Sequence, residues 1–288
     1  MACEALISDW NGTLIEYRTE MPALERVGVD AFRVSIPFHP LRVLRILKAR
    51  AQLQALRRQG RSETSFDFIK EMFSVFNQMV ISGLPTSVVH DSFERYANNA
   101  ETQSRLDLRL LRLINEFHSA GKTTGILSAG YRYGIERVLT VAGYRHCFDF
   151  CEADEFRTED GRVIEFGLNI YRNKPTLLRR LLTERHLEAS RVAYIGDSED
   201  DEGCFEMVGY PVVAFLAPHD FKAKCAQKYR AFVPNSENEL GAVPATRGQP
   251  HDIRYSEPVD TCAWSSQRVI PVFRKMRKSA LLFSRLPK

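Results

Sequence analysis

Short apolar runs alternate with amphipathic stretches along most of this 288-residue chain. Ala5-Leu6-Ile7-Ser8 predicts a strand close to the first residue. From about Arg18 to Ser104 the period turns helical, and no run reads as a strand. Leu41, Leu44, Leu47, Ala51 and Leu53 mark one helix, closed by the Arg-rich turn Arg57-Arg58-Gln59-Gly60-Arg61. Phe66, Ile69, Phe73, Phe76 and Val80 mark a second that stops near Gly83-Leu84-Pro85, and a third covers Val88 to Asn98; the aromatic stripe reads as packing. From Leu106 onward strands and helices alternate. The predicted strands are Thr124–Leu127, one near Phe148–Phe150, Val192–Ile195, Val212–Ala214 and Phe232–Val233. A hairpin is predicted around Glu159-Asp160-Gly161-Arg162. This order predicts an α/β protein with a doubly wound, mainly parallel Rossmann-like sheet and an inserted helical cap. The expected division is 1–17 and 105–242 for the core, 18–104 for the cap, and 243–288 for a linker and tail.

Two of the apolar runs end in acidic loops. The first strand leads into Asp9-Trp10-Asn11-Gly12-Thr13-Leu14, and Val192–Ile195 leads into Gly196-Asp197-Ser198-Glu199-Asp200-Asp201. In a parallel sheet both loops lie at carboxyl strand ends, where open α/β sheets place their ligands. A carboxylate nucleophile beside a carboxylate-held Mg²⁺ is a chemistry suited to phosphoryl transfer through an aspartyl-phosphate. Singly, each residue has a plain structural reading. An Asp caps a helix, Ser128 after a strand is a turn hydroxyl, Lys174 before Pro175 is a solvated side chain, and the Asp197–Asp201 run caps the following helix. Their order, with each at the mouth of one sheet, favours a site.

Composition narrows the class. The net charge of +4 does not argue for nucleic acid, and the sequence holds no zinc-finger spacing, basic zipper or RNA-binding signature. Six cysteines without a Cys-x-x-Cys pair, and no secretory leader before the first strand, imply reduced thiols and a cytoplasmic location. No apolar stretch approaches the roughly 20 residues of a membrane span.

The chain resembles the haloacid dehalogenase (HAD) superfamily of phosphohydrolases. The matching stretches are Ile7–Leu14, Ile126-Leu127-Ser128-Ala129-Gly130, Asn173-Lys174-Pro175 and Tyr194–Asp201. Glu152–Phe156 and Asp160–Val163 look like the phosphoserine-phosphatase-like branch. The resemblance implies a hydrolase acting on a small phosphorylated metabolite, with Asp9 attacking phosphorus. It implies Mg²⁺ held by Asp9, the backbone carbonyl of Asn11 and Asp197, with Asp201 or Asp200 steadying its waters. Ser128 and Lys174 would bind the phosphoryl group, and Gly12, Thr13 and Ala129 would lie beside it.

Asn11 is a departure from the family pattern, which has a second Asp there to protonate the leaving group and then activate water. An amide carries no such proton. The alternatives are therefore a phosphotransferase, a hydrolysis-impaired enzyme, or a non-catalytic relative that binds a phosphorylated ligand. In phosphoserine phosphatases a Glu past the Gly-Thr loop meets the substrate amine. Arg18 aligns there, with Glu16 and Glu20 close by, and phosphoserine is not implied. Arg57, Arg58 and Arg61 read as an exposed basic turn, with contact to an acidic substrate group as the alternative. Residues 261–288 hold no acidic side chain and place Val269, Val272, Phe273 and Met276 at helical spacing among basic residues. That pattern suits a membrane surface or a protein partner, or a helix folded on the core.

Overall fold

The computed structural model describes residues 3–17, 20–58 and 66–234. Five parallel strands form the main sheet: β1 (Ala5–Ser8), β2 (Thr123–Tyr131), β3 (Phe150–Asp154), β6 (Val192–Gly196) and β7 (Tyr210–Val213). Their order is β3-β2-β1-β6-β7, with Ser8 of β1 opposite Ile126 and Ile195 of its two neighbours. The strands read as unbroken apolar runs because both faces are covered. Alternation along β1 assigns the faces. Ala5 and Ile7 belong to a core with Leu178, Leu181, Phe205 and Phe221. These come from α8 (Lys174–Glu184), α9 (Glu202–Phe205) and α10 (His219–Tyr229). Leu6 belongs to the opposite core with Leu110, Ile114, Ile135 and Val138, from α6 (Leu108–Ser119) and α7 (Arg132–Ala142).

Between β1 and β2 the chain builds α1 (Met21–Ser35), α2 (Pro40–Arg58), α3 (Phe66–Phe76), a π-helical turn over Asn77–Ile81, α4 (Thr86–Ala97) and α5 (Ala100–Ser104). The two ends of this segment are stitched together. Glu16 N–H donates to Arg105 O at 2.9 Å, Asp107 N–H donates to Leu14 O at 2.9 Å, and the Glu16 and Arg105 side chains pair at 2.6 Å. The antiparallel hairpin of β4 (Phe156–Glu159) and β5 (Arg162–Phe166) turns at Asp160 and Gly161, both at positive φ, as the Asp-Gly signal predicts. It stands apart from the main sheet and bonds to the helical segment: Gly83 N–H donates to Val163 O, and Phe166 N–H to Asn77 Oδ1.

Some expectations change. The predicted Phe148–Phe150 strand begins only at Phe150 and runs to Asp154, because residues 145–147 form a 3₁₀ turn. Phe232 makes one bridge to Val212 and no strand. The helix marked by Leu41, Leu44 and Leu47 exists, but these three side chains are exposed. Ile46, Ala49 and Leu56 form its buried face instead. Residues 235–288, including the basic tail and Cys262, lie outside the described residues, as do Arg18 and Arg61. No helix among the described residues is long and apolar enough to cross a membrane.

Candidate active site

The central strand β1 delivers Asp9 at its carboxyl end, and β6 delivers Asp197 alongside. The chain winds in opposite directions on either side of these two strands, so the pair sits at the topological switch point of the sheet. The loop after β1 reverses tightly. Gly12 N–H donates to Ile15 O at 2.8 Å, and Gly12 adopts φ +76°. A Cβ on Gly12 would lie 2.2 Å from Asp197 Oδ2. Glycine is thus needed twice, for the left-handed backbone and for the approach of the second acidic loop.

That second loop is organised by Asp201, which is fully buried. Its Oδ2 accepts from Asp197 N–H at 3.0 Å and Ser198 N–H at 3.1 Å. Its Oδ1 accepts from Lys174 Nζ at 2.7 Å and from the Tyr194 hydroxyl at 2.9 Å. With both oxygens already bonded, Asp201 serves as the post that holds Lys174 and the Asp197 backbone. Asp200 Oδ1 accepts from Arg172 N–H at 2.7 Å. The run does cap the following turn, as the plain reading expected: Ser198 and Asp201 form a capping box.

Lys174 is not the solvated lysine of the plain reading. Only 2% of it is exposed, and its ammonium lies 3.2 Å from Asp9 Oδ2 and 3.5 Å from Asp200 Oδ2, besides its bond to Asp201. Burial alone would lower its pKa, but the charges of Asp201, Asp9 and Asp200 outweigh burial and hold it well above the ordinary value. The loop leading to it is pinned by the buried Asp154, whose Oδ1 accepts from Asn169 N–H at 2.8 Å. Asp9 is raised as well, to about 6: burial raises its pKa most, Lys174 lowers it, Asp201 raises it, and the Trp10 N–H and Ser128 hydroxyl lower it. Ser128 is buried on β2, and its oxygen accepts from Gly130 N–H at 3.1 Å. Ala129 next to it is half-buried.

The donor set fits a hard divalent cation. Asp9, Asp197 and Asp201 each offer a carboxylate oxygen, and these atoms lie within 4.8 Å of one another. Asp9 Oδ1 is buried and accepts no hydrogen bond, and Thr13 Oγ1 nearby in sequence is buried and unpartnered. One ammonium does not balance four neighbouring carboxylates, and an orphaned buried carboxylate oxygen is costly without a cation. An all-oxygen, carboxylate-rich set is what Mg²⁺ takes.

Asn11 and Glu20 lie side by side against Gly130. Asn11 Nδ2 donates to Glu20 Oε1 at 3.4 Å, and a Cβ on Gly130 would lie 2.4 Å from the same oxygen. Burial raises the Glu20 pKa to about 7, against the lowering effect of Asn11 and the Tyr131 N–H and with a smaller push from Asp9. Of the two Glu residues near the position expected to face substrate, Glu16 instead pairs with Arg105 and is exposed. The sequence alone could not decide between them, because the contacts of Glu20 with Asn11 and Gly130 are tertiary. Arg57 bonds to Glu25 at 3.4 Å. Tyr194 gave no sequence signal, since it lies within an apolar strand.

The family model for haloacid dehalogenase-like hydrolases matches residues 6–206. No curated protein sequence matches the chain significantly. A substrate-bound phosphoserine phosphatase superposes with a TM-score of 0.53 at 13% identity, covering 84% of this chain and 99% of that one. A HAD family hydrolase from Salmonella enterica subsp. enterica serovar Typhi gives a TM-score of 0.54 at 18% identity, covering 85% and 72%. A phosphoserine phosphatase described as a phospho-aspartyl intermediate analogue gives 0.50 at 14%, covering 81% and 93%. At these identities the superpositions speak for the fold, and it is the family match that identifies the chain: it belongs to the haloacid dehalogenase-like hydrolases.

Proposed function

We propose that this chain is an Mg²⁺-dependent phosphatase of small phosphomonoesters that works through an aspartyl-phosphate on Asp9. The observation that carries the reading is the meeting of Asp9, Lys174 and Asp197 with buried Ser128 at one end of the sheet. In this reading Asp9, the Asn11 carbonyl and Asp197 would hold the metal. Mg²⁺, when bound, offsets the repulsion between an anionic nucleophile and an anionic phosphate. An Asp9 carboxylate oxygen bonds to phosphorus while the bond from phosphorus to the ester oxygen breaks, and the ester oxygen leaves with the electron pair. Lys174 keeps its proton and places positive charge on the phosphoryl oxygens as they flatten. Ser128 donates a hydrogen bond to the same group. Water then attacks the acyl phosphate, releasing phosphate and restoring Asp9.

Asn11 sets the speed of both halves. General acid–base help contributes about 10²–10⁴-fold, or roughly 3–5 kcal/mol at 1.36 kcal/mol per decade. Without it, a poor leaving group departs unprotonated and the intermediate hydrolyses slowly. Asn11 therefore favours a second reading, in which the phosphorylated enzyme accumulates or passes its phosphoryl group to an acceptor other than water. On the substrate side, Glu20 offers a carboxyl suited to an amine or hydroxyl of the leaving group.

Turnover of p-nitrophenyl phosphate with Mg²⁺ tests the proposal. Steady hydrolysis by the wild type, abolished in Asp9→Asn and raised about 10²-fold or more in Asn11→Asp on an unactivated ester, supports it. A burst equal to the enzyme concentration with little steady rate supports the second reading. No reaction in any variant refutes both.

A further inference from the structure

Among the described residues eight large apolar side chains are exposed, and six of them fall between Val34 and Leu47. Phe38 is 77% exposed, Leu41 73% and Leu44 62%. They form the tip of the α1–α2 corner and a row along the outer face of α2, continued by Ala51 and Ala55. The opposite face of α2 is apolar as well, and its Ile46, Ala49 and Leu56 are buried. The outer side of α2 therefore mixes leucines and alanines with cations, and leucines left in water gain by being covered. Contiguous exposed apolar patches on a soluble domain mark a surface that meets something.

Charge identifies what that something is. From residue 31 to residue 58 the chain has seven Lys and Arg and no Asp or Glu. Arg45 and Lys48 lie on the exposed side of α2 among the leucines and pair with no acid among the described residues. The chain's own tail is a poor cover, since residues 261–288 carry seven basic residues and no acid. A second copy docking the same face would set basic side chains against basic side chains. Protruding leucines and a phenylalanine interspersed with cations suit an anionic interface into which apolar groups can sink while the ammonium and guanidinium heads stay with phosphates.

We propose that the Val34–Leu47 corner is an interfacial docking surface for an anionic lipid bilayer. α2 lies on the surface, consistent with its many charges, and does not cross it.

Vesicle co-sedimentation of the full chain tests this, with phosphatidylcholine alone and with phosphatidylcholine mixed with phosphatidylglycerol. The wild type should sediment with the mixed vesicles, less so as salt rises, and stay in solution with phosphatidylcholine alone. The full-chain variants F38S/L41Q/L44Q and R45E/K48E should each bind the mixed vesicles at least about tenfold more weakly. Near-ultraviolet circular dichroism and the unfolding midpoint of both should match the wild type. Failure of the wild type to bind mixed vesicles overturns the proposal. So does wild-type binding by both variants, which would move the contact elsewhere, the basic tail included. A wild-type dimer that F38S/L41Q/L44Q converts to monomer, with neither form binding vesicles, would assign the face to a second copy and overturn it too.

Discussion

Glu20→Gln should make the metal-free protein more stable, and only above acidic pH. The Glu20 carboxyl sits against Gly130, with Asn11 Nδ2 at 3.4 Å, and burial carries its pKa from 4.5 to about 7. Below pH 4.5 the group is neutral in both folded and unfolded chains, so its contribution to stability is then fully present. As pH rises the unfolded chain ionises first, and that contribution is lost through pH 7. The full loss is about 3 kcal/mol at 1.36 kcal/mol per pH unit. Gln keeps the shape and the acceptor oxygen but never ionises. Urea unfolding in EDTA should show the variant within about 1 kcal/mol of wild type at pH 5. The gap should then widen by about 2–3 kcal/mol in the variant's favour by pH 8. A gap that does not change with pH, or a variant less stable than wild type at pH 8, would refute the desolvation of the half-buried Glu20 carboxyl.

Two further substitutions test the scaffold. Asp201→Ala removes the acceptor shared by Lys174, Tyr194 and two backbone N–H groups, and should cost about 3–5 kcal/mol in urea unfolding at pH 7. Gly12→Ala places a methyl 2.2 Å from Asp197 Oδ2 at a positive φ, so Mg²⁺ binding followed by calorimetry should weaken at least about tenfold, converted from roughly 1.4 kcal/mol of displacement and strain.

Much of the sheet was legible because parallel strands buried on both faces read as plain apolar runs, and the Asp-Gly pair announced its turn. Asp9, Ser128, Lys174 and Asp197 were legible for a related reason: each follows directly on such a run or opens a helix, so placing the strands placed them. What the sequence could not give depended on longer-range contacts. Leu41, Leu44 and Leu47 have the spacing of a buried face, yet the neighbouring elements cover Ile46, Ala49 and Leu56 instead. Lys174 looks like a surface residue until three carboxylates from two loops surround it. Glu16 pairs with Arg105 while Glu20 lies against Asn11 and Gly130, a difference set by tertiary contacts. Asp201 was legible as one of two acids expected to lie near a metal, but its bonds to Lys174, Tyr194 and the Asp197 N–H are ones that no spacing rule encodes.

In the proposed mechanism a carboxylate oxygen of Asp9 takes phosphorus. Acid-quenched enzyme, mixed briefly with Mg²⁺ and p-nitrophenyl phosphate and digested, should yield a phosphoryl adduct on the peptide that carries Asp9. The adduct should be more abundant in the wild type than in Asn11→Asp, where water is activated. A wild type that turns over substrate with no adduct on that peptide, or with the adduct on another residue, would contradict the mechanism.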